Sequence, residues 1–209
     1  MTRNARQRVR GVPKYIVGID EVGRGPLAGP ITVGLVVMPV RMPQVFFASI
    51  RDSKKLTPKK REEWFQAIKS HKKLAHAVVS ISALHIDKYG ISHAARVAIE
   101  RGLAKLAVSP ASSYIMLDAG LRAPREFRQE SIIRGDEKIP VIAAASIMAK
   151  VTRDRAMMRF HTKYPAYGFA SHKGYGAKVH ILNIQKYGLS TIHRKTFCTR
   201  INRENYRAN

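Results

Sequence analysis

The chain has 209 residues, 45% of them hydrophobic, which excludes an intrinsically disordered protein and allows one sizeable core. Lys and Arg number 38 against 14 Asp and Glu, and the resulting formal net charge of +24 attracts polyanions, nucleic acid first among them. There is no long apolar run to favour a membrane, and the single cysteine, Cys198, excludes an internal disulfide or a thiolate zinc cluster, so a reducing, cytoplasmic protein is expected.

Residues 1–13 carry arginines at positions 3, 6, 8 and 10 with no apolar segment behind them, and read as a disordered basic arm rather than a secretory signal. Tyr15 to Ile19 is a buried strand of apolar residues and glycine that ends in two adjacent acids, Asp20 and Glu21. Acids at the end of a buried strand need something to hold them, and hard oxygen donors in a negative site suit Mg²⁺ or Mn²⁺. Gly23-Arg24-Gly25 follows: glycines let a backbone come close to a ligand, and Arg24 offers a planar fork that matches phosphate. Gly29-Pro30 makes a tight connection to a second apolar run, so Tyr15–Asp20 and Ile31–Met38 are expected to pair as antiparallel strands.

Asp52-Ser53-Lys54-Lys55-Leu56 is a polar loop, after which Thr57 caps a helix that has Pro58 at its first position and buries Trp64, Phe65 and Ile68. Alternation over His76 to Ser82 predicts a strand, and Ser92 to Leu106 a helix with Ala95, Ala98, Ile99, Leu103 and Leu106 on one side. Tyr114 to Leu117 is a short apolar strand ending in Asp118, which repeats the opening pattern. Ligands bind at the strand ends of α/β sheets, so Asp20 and Asp118 meet there if their strands are neighbours. Leu121 to Glu130 is irregular, Ser131 to Ile133 a brief strand, and Arg134-Gly135-Asp136 a turn. Val141 to Tyr164 reads as one long helix, with Asp136 just before its N-terminus, where the helix dipole stabilises an acid. Ser171 to Lys178 sets Tyr175 between two glycines among cations, either as a platform for sugars and bases or as a hydrophobic anchor. Val179 to Tyr187 is a short helix, and residues 198–209 form a basic tail.

Asp20, Glu21, Asp118 and Asp136 are thus each tied to the end of an element in an acid-poor chain. Clustered acids are best explained by cations, and two cations stabilise the attacking and leaving oxygens of an in-line phosphoryl displacement. A metal-dependent nuclease is the favoured reading. The alternative is a non-catalytic basic nucleic-acid-binding protein whose acids only cap helices or pair with cations, and it leaves the two acid-ended strands unexplained.

The chain closely resembles bacterial ribonuclease HII, the type 2 ribonuclease H family, over about Lys14 to Phe197. The resemblance rests on Gly18 through Pro30, Asp52-Ser53-Lys54-Lys55-Leu56, Leu117-Asp118, Gly135-Asp136 leading into Ile142 through Asp154, Lys173-Gly174-Tyr175-Gly176, and His193-Arg194. It implies an α/β ribonuclease H-like fold, a mixed central sheet with flanking helices and a helical C-terminal region, with the catalytic domain over 14–197. It implies an endoribonuclease that cuts the RNA strand of RNA/DNA hybrids and incises 5′ to a single ribonucleotide in duplex DNA, leaving 3′-hydroxyl and 5′-phosphate ends. Asp20, Glu21, Asp118 and Asp136 match its catalytic metal ligands, with two Mg²⁺ or Mn²⁺ ions sharing Asp20. Gly23, Arg24 and Gly25 match the motif that reads the 2′-hydroxyl, Tyr175 the tyrosine that senses the following deoxyribose, and Lys54 and Ser146 phosphate-side contacts. Ala119 stands where the family usually has glycine, which implies a small shift in that turn. Arg24 argues against the sister ribonuclease HIII group, which has lysine there. Asp154 reads as a salt-bridge partner of Lys150 and Arg153. A monomer is expected, and a sliding clamp partner is left open.

Overall fold

A computed structural model describes residues 12–42, 44–47, 50 and 56–201. The loop with Lys54, most of the basic arm and the tail beyond 201 lie outside the described residues. Five strands form one mixed sheet: β1 (Tyr15–Val22), β2 (Ile31–Pro39), β3 (Ala75–Ile81), β4 (Ser113–Asp118) and β5 (Arg128–Ile132), in the order β3-β2-β1-β4-β5. The first three run antiparallel as a meander, while β4 and β5 lie parallel to β1. Seven α-helices accompany the sheet among the described residues: α1 (Pro58–Ser70), α2 (Ala83–Tyr89), α3 (Ile91–Lys105), α4 (Gly135–Lys138), α5 (Pro140–Lys163), α6 (Phe169–His172) and α7 (Lys178–Tyr187). None of these is long and apolar enough to cross a membrane.

The expected antiparallel pair is present, with Tyr15 opposite Pro39 and Val22 opposite Thr32. Thr57 caps α1 as expected, its hydroxyl accepting from the Lys60 amide at 3.3 Å. Three readings shift. Residues 83–89 form α2, for which seven residues leave too short a periodic signal. The fifth strand spans Arg128–Ile132, upstream of the expected Ser131 to Ile133, because pairing with β4 rather than apolar content fixes it. Asp136 lies inside the one-turn helix α4, which Ile139 separates from α5.

Each face of the sheet has its own core. Val17, Ile19, Val33, Leu35, Ile115 and Leu117 point to one face, where they meet Ala95, Ala98, Ile99 and Leu103 of α3. The other face receives α5, which is backed in turn by Phe65 and Ile68 of α1. This position between sheet and helix explains why the first half of α5 is apolar on every side, with Val141, Ile142, Ala143, Ala144, Ala145, Ile147, Met148 and Ala149 all buried. Each fully buried side chain of the size of Ile19 or Leu35 contributes roughly 1.5–3 kcal/mol by leaving water.

Helix α5 approaches the sheet more closely than side chains would permit. A Cβ on Gly18 would stand 2.2 Å from the Val141 carbonyl oxygen, and one on Gly34 would stand 2.1 Å from the Ala145 carbonyl oxygen. The two glycines sit on neighbouring strands and face the same helix, so the backbone of α5 lies directly on β1 and β2. Gly34→Ala is therefore expected to push the helix off the sheet and to destabilise the fold by about 1–3 kcal/mol, the usual range for overpacking a tight core. Chemical denaturation would measure it, and an unchanged midpoint would show that the helix can retreat without cost.

Candidate active site

Pairing in the sheet brings the first acids together. Ile19 on β1 is registered with Leu117 on the parallel neighbour β4, so the next residues, Asp20 and Asp118, stand side by side. Asp118 is the last residue of β4, whereas β1 runs on through Asp20 and Glu21 to Val22, beyond the expected end, because its pairing with β2 continues to Thr32. Both alternate with residues of the opposite core, which turns them toward the α5 face. Asp20 is only 3% exposed, and its carboxylate accepts from the Glu21 amide at 2.7 Å. Burial, then the charge of Glu21, and further the charge of Asp118 push the Asp20 carboxyl up to about 8, against the Ser146 hydroxyl bond and the Glu21 amide, which favour the ionised form.

The fourth acid arrives through β5. Because β5 lies beside β4, with Ile132 opposite Asp118, the turn after it returns to the same strand ends. There the Gly135 amide donates to the Asp118 carboxylate at 2.7 Å, and Asp136 follows, fully buried in α4. Arg134 enters this turn in the left-handed region (φ 56°) and pairs with Glu137 at 2.5 Å. The side chain of Glu21 has Arg24 at 3.6 Å. The donors are hard oxygens in a site whose own charges repel, which fits a divalent cation of the Mg²⁺ or Mn²⁺ type. Asp20 feels the charges of Glu21 and Asp118, but Asp118 and Asp136 do not line the cleft that Asp20 and Glu21 face, and among the described residues no three acidic, histidine or cysteine side chains group closely enough to hold a metal ion.

The glycine turn is held from beneath by two buried arginines. The Arg194 guanidinium donates to the carbonyls of Gly23 (2.6 Å), Arg24 (2.8 Å) and Gly29 (3.0 Å). Arg153 donates to Pro30 (2.9 Å), Ala28 (3.3 Å) and Lys173 (3.1 Å). Both side chains are fully buried. Desolvation first, then the neighbouring Arg153 charge, brings Arg194 down to about 10, which still leaves it a cation at neutral pH. Gly23 sits at φ +93°, and a Cβ there would lie 2.3 Å from Arg153 Nε. Gly25 is different: it is exposed, and a Cβ there would meet nothing within 4 Å.

The tyrosine loop is zipped to the same turn. The amides of Leu27 and Ala28 donate to the Gly174 carbonyl at 2.8 and 3.3 Å, and the Arg153 guanidinium lies 5.8 Å from the centre of the Tyr175 ring. Tyr175 thereby lines one cleft of about 270 Å³ with Asp20, Glu21, Arg61, Ser146 and Lys150. A larger open groove of about 700 Å³ runs along the other side of Arg24, between α3 and the loop after β4, and carries Arg96, Arg122 and Arg125.

A family profile described as Ribonuclease HII matches residues 17–201. The chain belongs to the ribonuclease HII family. The ribonuclease HII of Coxiella burnetii is 40% identical over 182 residues, 87% of each chain. Among solved structures, the ribonuclease H2 of Pyrococcus horikoshii OT3 superposes with a TM-score of 0.73 at 25% identity, over 93% of this chain and 100% of that one. Bst-RNase HIII in complex with Mn²⁺ shares the fold with a TM-score of 0.68 at 19% identity, over 94% of this chain and 71% of that one. The chain is thus a ribonuclease H-type hydrolase with a ribonuclease H-like α/β fold.

Several structurally decisive residues are not among those singled out from the sequence as site residues. Arg153 falls on the buried stripe of α5 that contains Ser146 and Ala149, and a charge on such a stripe signals a bonded role. Asp154, by contrast, pairs with Lys150 at 2.8 Å as read from the sequence, while Arg153, the other partner expected for it, turns to the backbone carbonyls instead. His180 and His193 are 0% and 3% exposed. Nothing in their spacing announces this, because α7 and the chain after it bring them together. Burial lowers both to about 4, and for His193 the neighbouring His180 adds to the effect. Between pH 6.5 and about 4 the unfolded chain therefore binds more protons than the folded one, so these two histidines favour the fold above 6.5 and lose that contribution as the pH falls. The melting-temperature gap between wild type and His193→Ala should be full at pH 7 and narrow across that window. A gap that stays constant with pH would show that the pair does not remain neutral in the fold.

Proposed function

We propose that this chain hydrolyses the RNA strand of RNA/DNA hybrids and incises 5′ to a single ribonucleotide in duplex DNA, leaving 3′-hydroxyl and 5′-phosphate ends. The observation that carries the reading is that Asp20 and Glu21, near the start of the chain, line one cleft with Tyr175, near its end. Hydrolysis and recognition of the sugar then take place within one nucleotide of each other.

Asp20, Glu21, Asp118 and Asp136 are the residues that would hold divalent ions, two of Mg²⁺ or Mn²⁺; the Mn²⁺ in complex with Bst-RNase HIII supports this class of ion. Such ions, when bound, activate water and stabilise the charge that develops on the phosphate. The protein's own groups do the rest. Ser146 bonds the Asp20 carboxylate and favours its ionised form. Lys150 and Arg61, on the wall of the same cleft, offer cations to the phosphates around the cut. Lys54 joins them on the strength of the family motif alone. The groove with Arg24, Arg96, Arg122 and Arg125 takes the nucleic-acid backbone beyond the cut, where sequence-independent contacts belong to arginine and phosphate.

Recognition falls to Gly23, Arg24, Gly25 and Tyr175. The 2′-hydroxyl is the group that distinguishes RNA from DNA at a given site, and backbone groups reach it only where no side chain intervenes. Gly25 meets that requirement: neither its contacts nor its backbone conformation call for glycine, so the space above it is kept for what binds.

Cut-site mapping on duplex DNA with one embedded ribonucleotide, in Mg²⁺ and in Mn²⁺, tests the whole reading, and cutting at any other position would overturn it. Asp118→Asn is expected to lower turnover by well over about 100-fold, the upper end for residues that merely support a metal site, while hybrid binding persists. Near-normal turnover would remove Asp118 from the chemistry. Gly25→Ala should keep or slightly raise the wild-type melting temperature and lose cleavage at the single ribonucleotide; retained cleavage would show that the approach at this point is not tight.

A further inference from the structure

Three histidines stand behind the tyrosine loop. The rings of His172 and His180 stack with centroids 4.3 Å apart, and Phe169 meets both edge-on. His193 lies beyond His180, with Tyr167 tilted against it. None of the three touches the cleft, and the chemistry proposed above makes no use of them.

Their hydrogen bonds admit one arrangement of protons. The Tyr175 carbonyl, 2.8 Å from His180 Nδ1, can only accept, so Nδ1 carries the hydrogen. In the neutral ring, His180 Nε2 then accepts. Its neighbour at 3.1 Å is His193 Nε2, which must donate. His193 Nδ1 is left to accept, and the Ser190 amide (2.9 Å) and hydroxyl (2.8 Å) donate to it. His172 is fixed in the same way: Nε2 donates to the Tyr167 carbonyl at 2.8 Å, and Nδ1 accepts from the Gly174 amide at 3.2 Å. A directed chain therefore runs from Ser190 through His193 and His180 to the backbone of Tyr175, while His172 holds the amide of the residue before it. A proton added to either ring of the central pair would set two N–H groups face to face.

We propose that His180 and His193, neutral and in these tautomers, are positioning residues for Tyr175: through its backbone carbonyl they set where the ring stands in the cleft, and with it the preference for an RNA–DNA junction over a uniform hybrid. The inference rests on the reading above, in which Tyr175 senses the deoxyribose after the ribonucleotide. The relay ends on backbone, so it fixes the loop whatever the ring touches. Tyr175 is 43% exposed, and the Arg153 guanidinium lies 5.8 Å from the centre of its ring. A side chain that open to solvent takes its placement in good part from the loop that carries it.

The test compares His180→Leu, which removes the relay, with His180→Asn, whose side-chain amide keeps a donor at the place of Nδ1 for the Tyr175 carbonyl and gives up the bond to His193. Each is made in the wild-type and Tyr175→Ala backgrounds and assayed on a junction duplex and on a uniform hybrid. His180→Leu should lower the junction-to-hybrid ratio of kcat/KM roughly tenfold, less than the 100-fold that a misplacement of about 1 Å can cause. His180→Asn should recover most of that ratio. In the Tyr175→Ala background, His180→Leu should change the ratio no further, since residues that act through one another are not additive. Equal losses on both substrates, or full additivity, would overturn the proposal. If Tyr175→Ala leaves the ratio at the wild-type value, the sugar-sensing role of Tyr175 fails, and the relay is then decided by ¹⁵N NMR of the wild-type histidines. His180 protonated at Nδ1 and His193 at Nε2 upholds it; any other assignment, or a mixture, overturns it.

Discussion

The contact of α5 with bare strand backbone at Gly18 and Gly34 is the constraint on which the rest of the site depends. Gly18 is two residues before Asp20 on the same face of β1, and Gly34 is the cross-strand partner of Asp20. The helix therefore rests on both sides of the carboxylate and leaves it only 3% exposed, at the wall of the cleft. Ser146 follows Ala145, the residue that touches Gly34, and its hydroxyl is thereby delivered to Asp20. Seven residues later, two turns along the same face, Arg153 reaches the glycine turn. One helix, pressed to one depth, thus sets both the environment of the acid and the underside of the recognition loop.

Arg153 and Arg194 are an expensive way to hold a loop, since a buried cation must be compensated almost completely. Here the compensation comes from carbonyls rather than carboxylates. Each guanidinium donates to three backbone oxygens of segments 23–30 and 173, which a turn of this shape leaves without partners from secondary structure. A planar fork with fixed donors suits this task, and the flexible point charge of a lysine does not. The consequence is coupling. Arg153 bonds both the glycine turn and the tyrosine loop, so a shift in one is transmitted to the other, although the two lie some 150 residues apart in the sequence.

Local order was legible in the sequence; assembly was legible in part. An acid at the end of an apolar strand is a local pattern, and Asp20 and Asp118 could be read from it. Whether they meet depended on β1 and β4 being parallel neighbours, which the sequence stated only as a condition. Thr57-Pro58 announced its helix because capping is decided within four residues. The short α2 and the displacement of β5 were not legible, since tertiary pairing outweighs weak propensity over so few residues. Arg153, Arg194, His180 and His193 were missed as positioning groups for a related reason. Their partners are carbonyls and other histidines far along the chain, and a backbone carbonyl has no letter in the sequence. Motifs such as His193-Arg194 mark such residues as belonging to the family and give no hint of what they bond.

Gly23 and Gly25 show how structure separates two kinds of glycine that a motif treats alike. At Gly23 the fold itself excludes a side chain, through a positive φ and the buried Arg153 beneath it. Substitution there would damage stability and function together and would say little about recognition. At Gly25 the fold excludes nothing. Folding alone would allow alanine, which also restricts the unfolded chain more than glycine does and so tends to raise stability. A glycine kept where folding does not ask for it has to be explained by something outside the chain. Under the proposed function, a ligand brought against the backbone two residues from the Gly23 carbonyl that Arg194 holds supplies that explanation, and a 2′-hydroxyl is a group small enough to be read there.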